Sequence, residues 1–153
     1  MDMKNAIITF RGDNNCKLNE LQENRIEREI LNLFNKYHFI GFYLGNRNSF
    51  DFFIRGLLSD LKKKYKLPCE IVFVPHRVGV EYGDFDAFFE KVVYPPLNEV
   101  PPEYSAQRRD NWITERADEL FFVGNSRYGS ARETLDYARL RFQKYGKPQI
   151  TEL

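Results

Sequence analysis

The residues best placed to do chemistry lie in the last third of the chain. There the apolar run Leu120-Phe121-Phe122-Val123 passes into Gly124-Asn125-Ser126-Arg127-Tyr128, then into Gly129-Ser130-Ala131. That succession reads as a strand, a polar turn and a helix start. Backbone N–H groups at such a start have no partner within the helix, and the helix dipole favours negative charge there. Phosphate is the usual occupant, and Ser126, Gly129, Ser130 and Thr134 are the residues placed to receive it. The structural alternative is an ordinary β–α loop in which Ser130 caps the helix. A second candidate is Arg109, which precedes Trp112 and Ile113 by three and four residues and so shares their buried helical face. An arginine in that position needs an anionic partner: a ligand, or a salt bridge with Asp110, Glu115 or Asp118.

Other chemistries find little support. The two histidines, His38 and His76, have no Cys or Asp at ligand spacing, so no metal is expected. No Walker motif and no Gly-x-Gly-x-x-Gly fingerprint is present, and no cofactor is expected. Cys16 and Cys69 are far apart, which favours a reducing, cytoplasmic setting over a disulfide scaffold. Lys and Arg total 23 against 22 Asp and Glu, so there is no bulk field for nucleic acid, and no apolar run reaches membrane-spanning length. Aromatic residues make up 16%, enough for a large core and for stacking faces.

The elements that must position these residues alternate. Ala6 to Phe10 is strand-like and ends in the turn cluster Arg11-Gly12-Asp13-Asn14-Asn15. A helix follows from about Glu20 to Tyr37, then a strand from His38 to Leu44, stopped by Gly45-Asn46-Arg47-Asn48-Ser49. Phe50 to Tyr65 is helical, with a solvated Lys62-Lys63-Lys64 end, and Cys69 to Pro75 is a third strand. Between Arg77 and Glu103, Phe85, Phe88 and Phe89 suggest a short helix and Val92-Val93-Tyr94 a short strand or apolar plug. Four prolines from Pro95 to Pro102 forbid regular structure nearby. Tyr104 to Ala117 is helical, and the last helix carries Ala131, Leu135, Ala138, Phe142 and Tyr145 on one stripe. A final edge strand is expected at Gln149-Ile150-Thr151. Strands alternating with helices imply one α/β domain over residues 1–153, with a mostly parallel sheet covered on both faces.

In such sheets ligands bind beyond the carboxyl ends of the strands. That rule adds Gly12, Asp13, Asn14, Gly45 and Asn46 to the candidate ligand residues, with Asp51 in the first turn of the next helix. For Asp51 the alternative role is simple complementarity to the helix dipole.

Taken in order, Phe10-Arg11-Gly12, Tyr43-Leu44-Gly45 with Phe50-Asp51, Tyr94-Pro95-Pro96-Leu97, Arg109 with Trp112-Ile113 and Asp118, and Tyr128-Gly129-Ser130-Ala131 with Thr134-Leu135 form a pattern. It resembles the SLOG superfamily, the Smf/DprA and LOG-type domains, over nearly the whole chain. The resemblance implies a Rossmann-like three-layer α/β/α fold and a nucleotide or ADP-ribose-like ligand, sensed or sequestered. The LOG branch implies an alternative, cleavage of the N-glycosidic bond of a nucleoside 5′-monophosphate. Arg109 and Glu133 then stand at the catalytic positions, and Gly129-Ser130 where that family has Gly-Thr. Three departures are visible: Gly124-Asn125-Ser126-Arg127 replaces Pro-Gly-Gly, Asp110 follows Arg109 where Lys or Asn is commoner, and Asp13-Asn14 replaces a His-Arg pair.

Relatives in the superfamily commonly pair, and a homodimer or higher homo-oligomer is expected here. Glu133 and the Arg127/Arg132 rim face away from the core stripe, where a second subunit would close the pocket. The proline-rich segment from Tyr94 to Tyr104 serves either that contact or as a cap over its own core.

Overall fold

A computed structural model describes residues 3–13, 17–46, 48–77 and 89–153. The chain forms β1 (Lys4–Gly12), α1 (Glu20–Leu33), β2 (Tyr37–Leu44), α2 (Ser49–Tyr65), β3 (Cys69–Phe73) and β4 (Lys91–Val92). It continues through α3 (Pro102–Arg116), β5 (Glu119–Val123), α4 (Ser130–Tyr145) and β6 (Gln149–Glu152). The strands make one six-stranded sheet in the order β4-β3-β2-β1-β5-β6, and every pairing is parallel. With helices on both faces this is a Rossmann-like three-layer α/β/α arrangement. Successive strands from β1 to β4 step outward in one direction. Helix α3 then carries the chain back to β5 on the other side of β1, so strand order reverses between β1 and β5.

Local chemistry explains the boundaries. Asn19 and Gln22 form a reciprocal capping box at α1, with the Gln22 N–H donating to Asn19 Oδ1 at 2.8 Å and the Asn19 N–H to Gln22 Oε1 at 3.2 Å. Asn48 caps α2 by accepting the Asp51 N–H at 2.9 Å. Pro102 opens α3, where its missing N–H costs nothing. Asp118 pins β5 to β1: its carboxylate accepts the Ile7 N–H at 2.8 Å, and its own N–H donates to Ile7 O at 2.7 Å.

The two faces of the sheet are built differently. Ala6, Ile8 and Phe10 of β1 face α1 and α2, joining Ile40, Phe42, Leu44, Phe121 and Val123 in a continuous apolar core. On the other face Leu120 and Phe122 pack against Ala131, Leu135 and Ala138 of α4. Val72 and Val74 pack against Ile113 of α3. Between those two apolar patches runs a buried polar seam that includes Thr9 and Arg11 of β1 and Arg109, Asp110, Thr114 and Thr134 of the helices.

Several sequence expectations shift. Helix α1 ends at Leu33 rather than Tyr37, because Tyr37 begins β2 and its hydroxyl donates to Glu119 Oε2 at 2.6 Å at the start of β5. Strand β3 stops at Phe73, although the Val74 N–H still reaches Leu44 O at 2.9 Å. The apolar stripe of α4 ends at Ala138: Phe142 and Tyr145 are exposed. A helix of 16 residues is about 24 Å long, whereas the five-residue β5 beneath it spans roughly 17 Å, so the last turns overhang the sheet. The short helix expected around Phe85 and Phe88 lies outside the described residues, as do Asn14, Asn15, Cys16 and Arg47.

Candidate functional site

The reversal of strand order brings the ends of β1 and β5 together at the carboxyl edge, where a parallel sheet of this kind opens a crevice. Asp13 follows β1 directly. Its N–H donates to Val123 O at 3.2 Å, and its Oδ2 accepts the backbone N–H groups of Asn125 at 3.0 Å and Ser126 at 2.9 Å. The turn after β5 therefore already holds an oxyanion, supplied by the chain itself. Gly124 is required here twice over: its φ is +138°, and a side chain would run into the Asp13 carboxylate. Asp13, Lys17, Gln22, Asn125, Ser126 and Leu153 border a cavity of ≈ 450 Å³ on the α1 side of this point.

Five residues beyond Gly124, Gly129 precedes α4 with φ +98° and ψ 178°, a region that only glycine occupies without strain. Among the described residues nothing lies within 4 Å of where its side chain would be. No side chain among the described residues caps the helix. Ser130 is its first helical residue and not the cap; the Ser130 hydroxyl instead accepts a hydrogen bond from Arg11 NH2 at 2.7 Å. Thr134 is buried and donates back to Ser130 O at 2.9 Å, so its hydroxyl serves the helix. Glu133 is exposed, and Arg132 pairs along the helix with Asp136 at 3.1 Å.

Arg11 is the residue that sequence reasoning missed. It projects from β1 into the polar seam and is only 3% exposed. Besides Ser130 it has Asp110 Oδ2 at 3.5 Å, while its Nε and NH1 have no hydrogen-bond partner among the described residues. A void of ≈ 10 Å³ beside it, lined in part by Thr9, Asn46 and Thr134, is about the room one water needs. The signal was available: Ile7, Thr9 and Arg11 share one strand face, and a charge on an inward parity of a central strand demands a partner.

Arg109 lies at the same edge, 2% exposed, with its donors committed within the protein. Its Nε donates to Asp110 Oδ1 at 2.8 Å, its NH1 to Gly45 O and to Val74 O at 3.1 Å, and its NH2 to Asn46 Oδ1 at 3.2 Å. Of the partners expected from the sequence, the structure provides Asp110. The result is a clamp joining the loops after β2 and β3 to α3. Gly45 is glycine because a Cβ there would stand 2.7 Å from Arg109 Cδ and from Val74 O. Gly12 is glycine because the Phe50 ring occupies its side-chain space.

Asp51 completes the cluster. It is 2% exposed, and its Oδ2 accepts the Asn46 N–H at 2.8 Å. Burial drives its carboxyl up to about 7; Arg11 and the Asn46 hydrogen bond oppose that rise, Asp110 adds to it, and Arg109 opposes it. Arg11, Arg109, Asp110 and Asp51 thus form a buried group of two cations and two carboxyls at the carboxyl edge, which Arg11 links to Ser130 at the start of α4.

A second cavity, ≈ 540 Å³, opens at the carboxyl end of β3 against the first turns of α3, and Pro75, His76, Tyr94, Leu97, Val100 and Ser105 are among its walls. The Ser105 hydroxyl donates to Pro102 O at 2.8 Å, so at 3.1 Å it accepts from His76 Nδ1, which carries the proton. The proline-rich segment therefore forms a cavity wall, a use its composition does not reveal. Among the described residues no group of three His, Cys, Asp or Glu could hold a metal ion, and no helix is long and apolar enough to cross a membrane. Cys69 is buried in β3, and burial pushes its thiol up to about 11. No protein-family model matches the chain, and no curated protein matches it either.

Proposed function

We propose that this is a SLOG-type binding domain that holds the phosphate of a nucleotide at the N-terminus of α4. One observation carries this reading. The start of a 16-residue helix is uncapped and open at Gly129, and the buried Arg11 guanidinium stands behind it, 2.7 Å from Ser130 Oγ. The helix dipole and the arginine charge act in the same direction, and Arg11 works in a poorly hydrated setting where its field is weakly screened. Asp13 keeps the preceding turn in shape by holding the Asn125 and Ser126 amides. Arg109 and Gly45 fix the neighbouring loops. Binding is favoured over N-glycosidic cleavage because Glu133 is exposed and the Arg109 donors already go to protein acceptors.

Thermal unfolding in the presence of AMP, ADP-ribose, NAD and cyclic nucleotides tests this. A ligand at about 100 times its dissociation constant adds about 2.7 kcal/mol. For a chain of this length that raises the midpoint by roughly 5–10 °C. Arg11→Met should abolish the shift. Absence of a shift with all four at millimolar concentration removes the proposal.

A further inference from the structure

We propose that the anion site at the start of α4 takes up its ligand together with a proton, which Asp51 in the first turn of α2 receives, so that affinity for a phosphate-like anion falls as the pH rises past neutrality. The coupling rests on the phosphate reading of that site and adds the group that regulates it. A continuous path joins the two places. The Phe50 ring fills the side-chain space of Gly12, which sets the first turn of α2 directly against the end of β1. Asp51 Oδ2 accepts the Asn46 N–H at 2.8 Å, and Asn46 Oδ1 accepts from Arg109 NH2 at 3.2 Å. Arg109 Nε donates to Asp110 Oδ1 at 2.8 Å, and Asp110 Oδ2 stands 3.5 Å from Arg11 NH2. That same nitrogen donates to Ser130 Oγ at 2.7 Å. All four charged members of the path are buried, so they act on one another with little screening.

Asp51 differs from the other three in how its charge is held. Asp110 is ion-paired to both arginines, one through each oxygen. Asp51 has no ion pair among the described residues; one oxygen takes the Asn46 N–H, and the other has no hydrogen-bond partner there. Arg55, one turn further along α2, lays its guanidinium over the Phe52 ring at 3.8 Å. The charges facing Asp51 are therefore Arg11 from β1 and Arg109 and Asp110 from α3. With Asp51 ionised, two cations meet two carboxylates and the group is neutral. With Asp51 protonated, the group carries one positive charge. Only the second state leaves a charge for the anion, delivered through Arg11, whose Nε and NH1 have no hydrogen-bond partner among the described residues. Burial already lifts the Asp51 carboxyl to about 7, so it is part-protonated near neutral pH. An anion at α4 raises it further, and by reciprocity the protonated protein holds the anion more tightly by the same factor.

Sulfate is the probe, because it mimics a phosphate group and keeps its own charge between pH 6 and pH 8. Titration of isotope-labelled protein with sulfate at constant ionic strength, followed by NMR at the Gly129, Ser130 and Ala131 amides, gives the dissociation constant at each pH. The expected result in the wild type is a rise of about tenfold from pH 6 to pH 8. In Asp51→Asn, which keeps an oxygen for the Asn46 N–H and cannot ionise, the change should be less than about twofold. At pH 8 that variant should bind sulfate more tightly than the wild type. The wild type also gives a direct readout: saturation with sulfate should raise the titration midpoint of the Asp51 carboxyl carbon by about one unit. An affinity that does not change with pH, a pH dependence that survives in Asp51→Asn, or an unmoved Asp51 midpoint overturns the coupling and leaves the α4 site standing. If sulfate moves none of the three amides at any pH, the phosphate site fails and the coupling fails with it.

Discussion

The two faces of the sheet solve the same packing problem with opposite materials. Beneath α1 and α2 the core is continuous and apolar, with Phe10, Phe42 and Phe121 in ring contact: the Phe10 and Phe121 centroids are 5.1 Å apart, those of Phe10 and Phe42 6.1 Å. Beneath α3 and α4 two small apolar patches flank a seam of buried arginines and carboxyls. Apolar packing is non-directional and contributes stability in proportion to area. Buried ion pairs contribute little net stability, because desolvation offsets their attraction, but they fix direction and distance. The seam runs to the edge where strand order reverses, which is where a binding site needs fixed geometry. One face holds the fold; the other holds the loops.

Substitution on each face separates these roles. Phe42→Ala should cost about 3–5 kcal/mol in denaturant unfolding, with ligand affinity unchanged once the protein is folded. Arg109→Ala should cost a similar 3–5 kcal/mol, because Asp110 loses the closer of its two charged partners and the Gly45 and Val74 carbonyls lose their donor. It should also release the loops after β2 and β3, visible as faster amide exchange at Gly45 and Asn46. If Arg109→Ala costs less than about 1 kcal/mol, the seam is solvated and the contrast between the faces collapses.

The buried polar cluster at the carboxyl edge, which Asp51 joins from the first turn of α2, also titrates, where the apolar core cannot. Asp51 rises from its ordinary 3.8 to about 7 on folding. The folded chain therefore binds that proton more tightly than the unfolded chain. Stability from Asp51 is fully present below 3.8 and is lost as the pH rises through about 7, at about 1.4 kcal/mol per pH unit within that window. Asp51→Asn keeps an oxygen for the Asn46 N–H and removes the titration, so its stability profile should be flatter across the window and higher than wild type at pH 8. A wild-type profile that rises from pH 4 to 7 while the variant's matches it would show that Asp51 is ionised throughout.

The next effect is smaller for stability and sharper for function. Gly129→Ala introduces a side chain at φ +98° and ψ 178°, costing roughly 1–3 kcal/mol of backbone strain. The added methyl stands in the open space before α4, so phosphate binding should weaken more than stability does. Equal losses in both would mean that Gly129 serves only the turn.

How much of this was legible in the sequence follows the same division. The alternating strands and helices were readable because apolar periodicity reports burial directly: Ile26, Ile30 and Leu33, or Ile54, Leu58 and Leu61, repeat at helical spacing and are buried. The carboxyl-edge loops followed from the parallel sheet. Polar burial has no comparable period, because its partners are distant in the chain. Arg11 and Ser130 are 119 residues apart, and Arg109 reaches Gly45 across 64. Arg109 was recognisable as a buried cation in want of a partner; Arg11 carried a parity signal on β1 that was overlooked because it also opens a polar turn cluster. The wall formed by Tyr94, Leu97 and Val100 was illegible for a different reason: prolines announce irregular backbone and say nothing about what it packs against.

The smallest expected effect lies outside the seam and decides between binding and turnover. Glu133 sits one turn into α4 on its outer side, exposed, with its N–H donating to Gly129 O at 3.0 Å in the ordinary helical pattern. Removing a solvated surface charge changes stability by less than about 0.5 kcal/mol, so Glu133→Gln should be silent in unfolding. It should leave nucleotide affinity nearly unchanged as well, since the phosphate is held by backbone donors and by the buried charge of Arg11. A hydrolase makes a different demand: a carboxylate must stabilise the ribosyl cation or activate water, and its loss typically lowers the rate about 10²–10⁴-fold. Wild-type protein incubated with AMP and followed by chromatography should release no free adenine above the buffer rate. Release by the wild type that Glu133→Gln abolishes would place this exposed carboxylate in a working active site, and the outer face of α4 would then belong to the catalytic machinery.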